Sequence, residues 1–371
     1  MMALEGWSML KLKNDVKSLG ELFEKKSYVI LYGAGASTKL FLQSCCDILP
    51  EKSLEFIVDG NDQLDGTYCI VERNIKVKII SLRHLCEIWG ERVRQFTFLM
   101  MPYYSLHFIR QLDQMDELNG VEMYVHSFIA EKSPVQRFQL RETKTPQIPK
   151  IIHYFWIGDS PIPEEDKKNI ESWKRFCPDY EIIEWNESNY DFSKYRYVRE
   201  ALEKKQYMYA TDAPRKDVLY QYGGIYLDTD VELLKPLDDL LYHETFIGID
   251  DGGQVNSGSG LGAVKHNELI KDMLDLYEEL SFVKEDGSFN RYYNTFYETK
   301  YLIENGFRIQ NQYQRIGTMD CLPREVLMPE GVIGLHDNYT RNTIARHKIN
   351  PYDKSIIAAI QDRLYADDQD R

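Results

Sequence analysis

The segment Tyr209-Ala-Thr-Asp-Ala-Pro-Arg-Lys-Asp-Val-Leu-Tyr-Gln-Tyr-Gly-Gly-Ile-Tyr-Leu-Asp-Thr-Asp-Val-Glu232 constrains this chain more than any other. Thr211 or Asp212 suits a helix N-cap, because a short oxygen-bearing side chain accepts from the first free N–H groups. Pro214 falls in the first turn, where its missing N–H costs nothing. Gly223-Gly224 ends the helix, since glycine enters the left-handed region without a Cβ clash. Ile225-Tyr-Leu then reads as an apolar strand that runs into Asp228-Thr-Asp230. Strand side chains alternate, so the spacing of two predicts both carboxylates on one side. Two like charges so placed repel, and a divalent cation offsets them. Oxygen ligands favour a hard ion, Mn²⁺ or Mg²⁺, over zinc. Asp212 and Arg215 share a helical face. At the start of the helix they would face the same cleft, Arg215 toward phosphate or sugar oxygens and Asp212 toward hydroxyls.

The surrounding pattern is α/β. Tyr28–Tyr32, Leu54–Val58, Val77–Ile80 and Phe96–Met101 read as strands, with helical stretches from the Gly33-Ala-Gly35 turn through Cys46 and over Leu82–Trp89. Alternation of this kind implies a parallel sheet. The polar stretch from Glu131 holds Pro134, Pro146 and Pro149 and has no periodic pattern, so it reads as a boundary. A second α/β pattern starts at Ile151-Ile-His-Tyr-Phe-Trp156. The expected organisation is a smaller Rossmann-like domain over 1–140, a linker over 141–149 and a second α/β domain over 150–371.

Gly33-Ala-Gly-Ala-Ser-Thr38 follows a strand and precedes a helix, as a dinucleotide-binding turn does. Thr38 stands where the third glycine would, and Asp59 is the candidate ribose acid. The first domain is therefore expected to be a scaffold rather than the seat of the chemistry.

Composition narrows the function. A formal net charge of -14 with no basic stripe excludes nucleic acid as the partner. The 26 tyrosines offer flat apolar faces with polar tips, which suit sugars and nucleobases. The six cysteines form no C-x-x-C pair, which argues against a zinc site or a disulfide framework. Met1 to Leu12 has no apolar signal core, and the apolar run Phe96–Ile109 is interrupted by Pro102, Ser105 and His107. A cytoplasmic protein is expected, with at most peripheral attachment to the inner face of the membrane.

Three ordered segments, Ile148–Gly158, Glu171–Asn186 and the Tyr209–Glu232 segment, resemble glycosyltransferase family 32, the DXD-motif transferases of bacterial capsular polysaccharide and related sugars. They are also similar to the glucosylating domains of large clostridial toxins. The resemblance runs from about Pro149 to Val264. It implies a GT-A fold, a Rossmann-like sheet that holds a UDP-sugar and Mn²⁺. In its terms Asp230 is the direct metal ligand, and Asp228 bridges metal and donor. Asp212 and Arg215 hold the donor sugar, Trp156 stacks on the base, and Tyr226 lines the donor site. Trp156 also stands at the carboxyl end of its strand, where α/β folds bind ligands. The glycine-rich run Gln254–Gly262 reads as a strand bringing Asn256 near the anomeric carbon, or as a flexible loop. The family's closing His-His-Trp pattern is absent, which leaves His336 in Gly334-Leu-His-Asp-Asn-Tyr339 as the candidate further metal ligand.

The function so implied is a retaining hexosyltransferase. It would move glucose or galactose from a UDP-sugar to a glycan or lipid-linked oligosaccharide acceptor, in capsular or surface polysaccharide synthesis. A protein-glycosylating transferase is one alternative. An NAD-dependent sugar oxidoreductase using Gly33 and Gly35 is another, and no Tyr-Lys or Cys catalytic pair accompanies that turn.

Overall fold

The computed structural model describes residues 10–71, 75–102, 105–130, 132, 138, 140–141, 143–331, 337–348, 357–358, 360–361 and 364. The first half runs β1 (Lys11–Leu12), α1 (Leu19–Lys25), β2 (Val29–Tyr32), α2 (Ala36–Cys45), β3 (Phe56–Asp59), β4 (Tyr68–Val71), β5 (Ile75–Ser81), α3 (Leu82–Trp89), β6 (Thr97–Met100), α4 (Ser105–Leu112), β7 (Glu122–Val125) and α5 (His126–Ala130). Its strands form one sheet in the order β1-β7-β6-β2-β3-β5-β4. Every pair is parallel except β4 with β5. The strand order reverses beside β2, so the Gly33 turn stands at the switch point where such sheets take ligands.

That crevice is filled from within. Pro102, just beyond β6, packs so close to Gly33 that a Cβ there would lie 2.7 Å from its ring. Asp59 is engaged as well, accepting from the Ala34 N–H at 2.7 Å and the Asn61 N–H at 2.8 Å. Among the described residues, Pro102 crowds the turn and Asp59 is turned toward its own backbone, which weighs against a dinucleotide there.

The second half runs β8 (Ile151–Phe155), α6 (Glu164–Phe176), β9 (Glu181–Trp185), α7 (Arg196–Glu203), α8 (Tyr207–Ala210), α9 (Asp212–Tyr222), β10 (Gly224–Tyr226), β11 (Val231–Leu233), β12 (Thr245–Ile249), β13 (Val255–Ala263), α10 (Glu268–Asp275), α11 (Asn294–Glu304), β14 (Gln314–Ile316), β15 (Met319–Leu322) and β16 (Ala345–His347). Its sheet has the order β14-β15-β12-β13-β10-β8-β9, with β11 and β16 paired apart from it. Strands β9, β8 and β10 are parallel, whereas β13 runs antiparallel to both neighbours. The sheet is thus mixed. The glycine-rich run is no loose loop: β13 is buried along its whole length.

The turn that ends α9 is held by a histidine. Trp185 Nε1–H donates to His153 Nδ1 at 3.1 Å, so the proton of the ring sits on Nε2, which donates to the Gly223 carbonyl at 2.8 Å. Gly224 presses against this contact; a Cβ on it would meet the Ile151 carbonyl at 2.8 Å and His153 Nε2 at 2.9 Å. The helix end, the turn and the start of β10 are thereby fixed to β8.

The two sheets meet through α2. A single cluster of buried apolar side chains includes Leu31, Phe41 and Leu42 from the first and Ile303, Phe307 and Ile309 from the second. Ser44 Oγ accepts from the Ile309 N–H at 2.7 Å, and Arg308 pairs with Asp47 at 2.6 Å. Residues 143–149 are fastened rather than free: the N–H groups of Gln147 and Ile148 both reach the Leu241 carbonyl, and Ile148 is buried. Among the described residues no helix is long and apolar enough to cross a membrane.

His153 and His126 are both buried, and burial pushes each imidazole down to about 4 from an ordinary 6.5. The unfolded chain therefore takes up protons below pH 6.5 that the folded chain refuses until about pH 4. Stability should fall through that window, by about 2 kcal/mol per imidazole at pH 5. Denaturant titrations at pH 7 and pH 5 should show this loss shrinking by about that amount in His126→Gln.

Candidate active site

Asp228 and Asp230 do not stand on a strand. β10 ends at Tyr226, and the two acids occupy the turn that follows, closed by the Val231 N–H on the Asp228 carbonyl at 3.1 Å. They still converge, so the turn and not strand alternation brings them together. Supports come from α6 and β13. Asn169 on α6 donates to the Thr229 carbonyl at 2.9 Å, and Thr229 Oγ1 donates to Asp166 at 2.7 Å. The Asp228 N–H donates to the Gly258 carbonyl at 3.0 Å. Gly258 leaves the room that Asp228 fills, since a Cβ there would lie 2.2 Å from Asp228 Oδ2.

His347 is the residue that sequence reasoning missed. β16 pairs antiparallel with β11, setting His347 opposite Val231. Its Nε2 comes within 2.8 Å of Asp230 Oδ1. Both atoms are buried, yet they are not in hydrogen-bond geometry. One ligand atom from each of Asp228, Asp230 and His347 lies within 4.8 Å of the others. Two carboxylates and an imidazole grouped this closely could hold a divalent cation. His336, the expected ligand, lies outside the described residues. No local pattern marks His347, because its strand is three residues long and its partner lies far back in the chain.

Arg215 and Asp212 are both nearly fully buried at the start of α9. Thr211 is the N-cap by position, but its hydroxyl donates to the Met208 carbonyl instead of capping the helix. Arg215 Nη1 lies 3.6 Å from Asp228 Oδ1, and its Nη2 lies 3.5 Å from Asp212 Oδ1. The guanidinium thus links the helix start to the carboxylate turn. Burial pushes the Asp212 carboxyl up to about 7, and the attraction of Arg215 and Lys216 only partly offsets it. Lys216 pairs with Glu298 of α11 at 2.6 Å, and Glu298 also accepts from Ser257 Oγ at 2.7 Å. This buried network ties α9, β13 and α11 together, and sequence reasoning did not find Lys216, Ser257 or Glu298.

Tyr226 lies behind the site rather than lining it. It is buried, its ring sits 4.8 Å from the Arg215 guanidinium, and its hydroxyl donates to Asp228 Oδ1 at 2.6 Å. It is a positioning residue. Trp156 is half-buried just beyond β8, its indole donating to the Ser160 carbonyl at 2.7 Å, and it is not part of the wall around the acids. Asn256 does line that wall, with its Oδ1 accepting from the Gly258 N–H at 2.9 Å. A cavity of about 360 Å³ gathers Arg215, Asp228, Asp230, Asn256 and His347, a size typical of small-ligand sites.

The family description "Glycosyltransferase sugar-binding region containing DXD motif" matches residues 163–247. This segment is similar to the sugar-binding region of DXD glycosyltransferases. Inositol phosphoceramide mannosyltransferase 1 of Schizosaccharomyces pombe is 33% identical over 108 residues, 27% of this chain and 34% of that protein. Mannosyl phosphorylinositol ceramide synthase SUR1 of Saccharomyces cerevisiae is 36% identical over 104 residues, 27% of each chain. Subversion of eukaryotic traffic protein A of Legionella pneumophila is 23% identical over 185 residues, 42% of this chain and 29% of that protein. The chain thus matches about a third of the length of these relatives. Among solved structures, a PaToxG glycosyltransferase aligns at a TM-score of 0.31 and 22% identity, covering 35% of this chain and 60% of that one, too slight a likeness to carry an argument.

Gly258→Ala should displace the Asp228 carboxylate. Calorimetry with Mn²⁺ should show affinity weakened by about tenfold, roughly 1.4 kcal/mol, while circular dichroism stays that of the parent. Unchanged Mn²⁺ affinity would show that Asp228 is not a ligand.

Proposed function

We propose that this chain is a metal-dependent, retaining glycosyltransferase of GT-A type. It moves a hexose from a nucleoside diphosphate sugar to a hydroxyl of a glycan or lipid-linked glycan acceptor. The observation that carries the reading is the convergence of Asp228, Asp230 and His347 on one point of a cavity that Arg215 and Asn256 also line. The DXD region supports it independently of the geometry.

Asp228, Asp230 and His347 would hold a divalent cation, which would supply positive charge to the departing diphosphate. The protein's own groups do the rest. Arg215, buried and always charged, binds phosphate or sugar oxygens without first shedding a water shell. Asn256 has its carbonyl committed to Gly258, which leaves its NH₂ to donate to the donor sugar. Asp212 contributes a carboxyl for a sugar hydroxyl. The acceptor oxygen forms a bond to the anomeric carbon as the bond from that carbon to the diphosphate breaks, and its proton passes to the leaving phosphate.

The cavity has one further carboxyl among the described residues, Asp250. Burial, and then the neighbouring Asp251, push it well above the usual range. Its Oδ1 accepts from the Gly252 and Gln254 N–H groups at 2.9 Å, which holds the carboxyl to the backbone and argues against a covalent glycosyl intermediate on it; retention is what the family resemblance implies.

The family resemblance alone suggests UDP-linked glucose or galactose, whereas the names of the yeast relatives favour mannose. Synthesis of a cell-surface polysaccharide, by a protein at the cytoplasmic face of the membrane, is the setting we propose.

Incubation with UDP-glucose, UDP-galactose and GDP-mannose tests the reading through release of the nucleoside diphosphate. One donor should be turned over with Mn²⁺ and not with EDTA. Asp230→Asn should lower that rate by about a hundredfold, roughly 2.7 kcal/mol of barrier. No turnover of any donor, or a rate in Asp230→Asn near that of the parent, refutes it.

The family resemblance implies that the nucleobase stacks on Trp156, at the carboxyl end of β8. Trp156→Ala should weaken nucleoside diphosphate binding by roughly 1–3 kcal/mol, the scale of a base–aromatic stack. Unchanged affinity by calorimetry would make Trp156 a packing residue.

A further inference from the structure

The cavity around Asp228 and Asp230 has one wall that comes from the other sheet. Ala36 and Ser37, in the first turn of α2, line it together with Asn256 and Tyr292. A helix start after a Gly-Ala-Gly turn would ordinarily serve a dinucleotide, and here Pro102 and Asp59 weigh against that use. The start of α2 instead faces the transferase cavity.

Its position there is rigid. The far end of α2 is held by Ser44 on Ile309 and by the Asp47–Arg308 pair. The first turn of α11, with Asn294 and Thr295, lines the same cavity. Neither helix carries a side-chain cap, so each offers first-turn N–H groups to a ligand. Ser37 also borders an adjoining crevice with Gln254 and Ser127. The Ser127 hydroxyl there is 7% exposed and has no hydrogen-bond partner.

The parallel strands β9, β8 and β10 lie on one side of the carboxylate turn, and their carboxyl ends, with Trp156, are the place for the nucleotide. Ser37 lines the cavity with Gln254 of the β12–β13 turn, whereas Trp156 does not line it. The same cavity carries Tyr292 and Tyr293, 38% and 37% exposed. Tyr292 is stacked on Phe296 at 4.3 Å, and Tyr293 on Tyr209 at 5.7 Å. Braced aromatic faces beside hydroxyl and N–H groups suit the ring of a sugar.

We propose that the start of α2 and Tyr292 form the acceptor subsite, and that Ser37 contacts a hydroxyl of an acceptor sugar. This assignment rests on the transferase reading above. It gives the first sheet a role in the reaction: it selects what receives the hexose.

The test uses the full chain with the donor it turns over, with and without the methyl α-glycosides of mannose, glucose and galactose. Free hexose and glycoside product are measured together, and the ratio of product to free hexose is the readout. Ser37→Phe and Tyr292→Ala should each lower that ratio by about tenfold and raise the KM for the glycoside, the loss of one good contact. Ser37→Ala, which adds no bulk, should lower it by about threefold, the scale of one hydrogen bond. Nucleoside diphosphate affinity, measured by calorimetry, should remain within about threefold of the parent and serves as the check on folding. The assignment fails if transfer and hydrolysis fall together, if the ratio does not move, or if the parent hydrolyses its donor yet glycosylates none of the three glycosides. A parent that turns over no donor at all refutes the transferase reading instead.

Discussion

The hydrogen bond from His153 to the Gly223 carbonyl is the contact on which the site's geometry depends. It binds the end of α9 to β8 at the point where the chain reverses into β10. Everything functional hangs from the two arms of that reversal: Asp212 and Arg215 on the helix, Asp228 and Asp230 beyond the strand. The bond works because the imidazole is neutral and its tautomer is fixed by Trp185 on the other nitrogen. The approach is so close that only a glycine fits at 224, against both the Ile151 carbonyl and the histidine ring. A side chain there would open the angle between the arms and part Arg215 from Asp228.

Around this turn the fold buries charges and then satisfies them. Lys216 and Glu298 are both almost wholly out of water, and such a pair persists only when its remaining hydrogen bonds are made. Ser257 and Asn294 supply them to Glu298. The result is a polar brace joining α9, β13 and α11, and it orients the wall of the cavity that faces the acids. Asp212 is the exception, with both carboxyl oxygens buried and unbonded. Such a group carries a standing cost of desolvation, which the Arg215 guanidinium 3.5 Å away partly offsets.

The mixed order of the second sheet has a functional consequence. Antiparallel β13 lies beside β10, so its buried glycine-rich stretch meets the carboxylate turn directly. Gly258 receives the Asp228 backbone and leaves room for its side chain. The first sheet closes the cavity from outside by way of α2, which a reading of the Gly33 turn as a self-contained motif does not anticipate.

The sequence by itself determined the local elements. The α3 boundaries, the strand leading to Trp156 and the helix-glycine-strand order of 209–232 follow from periodicity, caps and breakers, which act between neighbours. It also marked Asp228, Asp230, Asp212 and Arg215 as a group, because their spacing lies within one supersecondary unit. Only the tertiary structure decided that a turn and not a strand presents the acids, that Tyr226 stands behind them, that His347 completes the trio, and that Pro102 fills the crevice at Gly33 while Ser37 faces the cavity. Each of these depends on segments brought together from far apart in the chain, by a three-residue strand pairing or by packing between sheets. No local pattern records such contacts, because the energy that selects them arises from burial and shape once the chain has closed on itself.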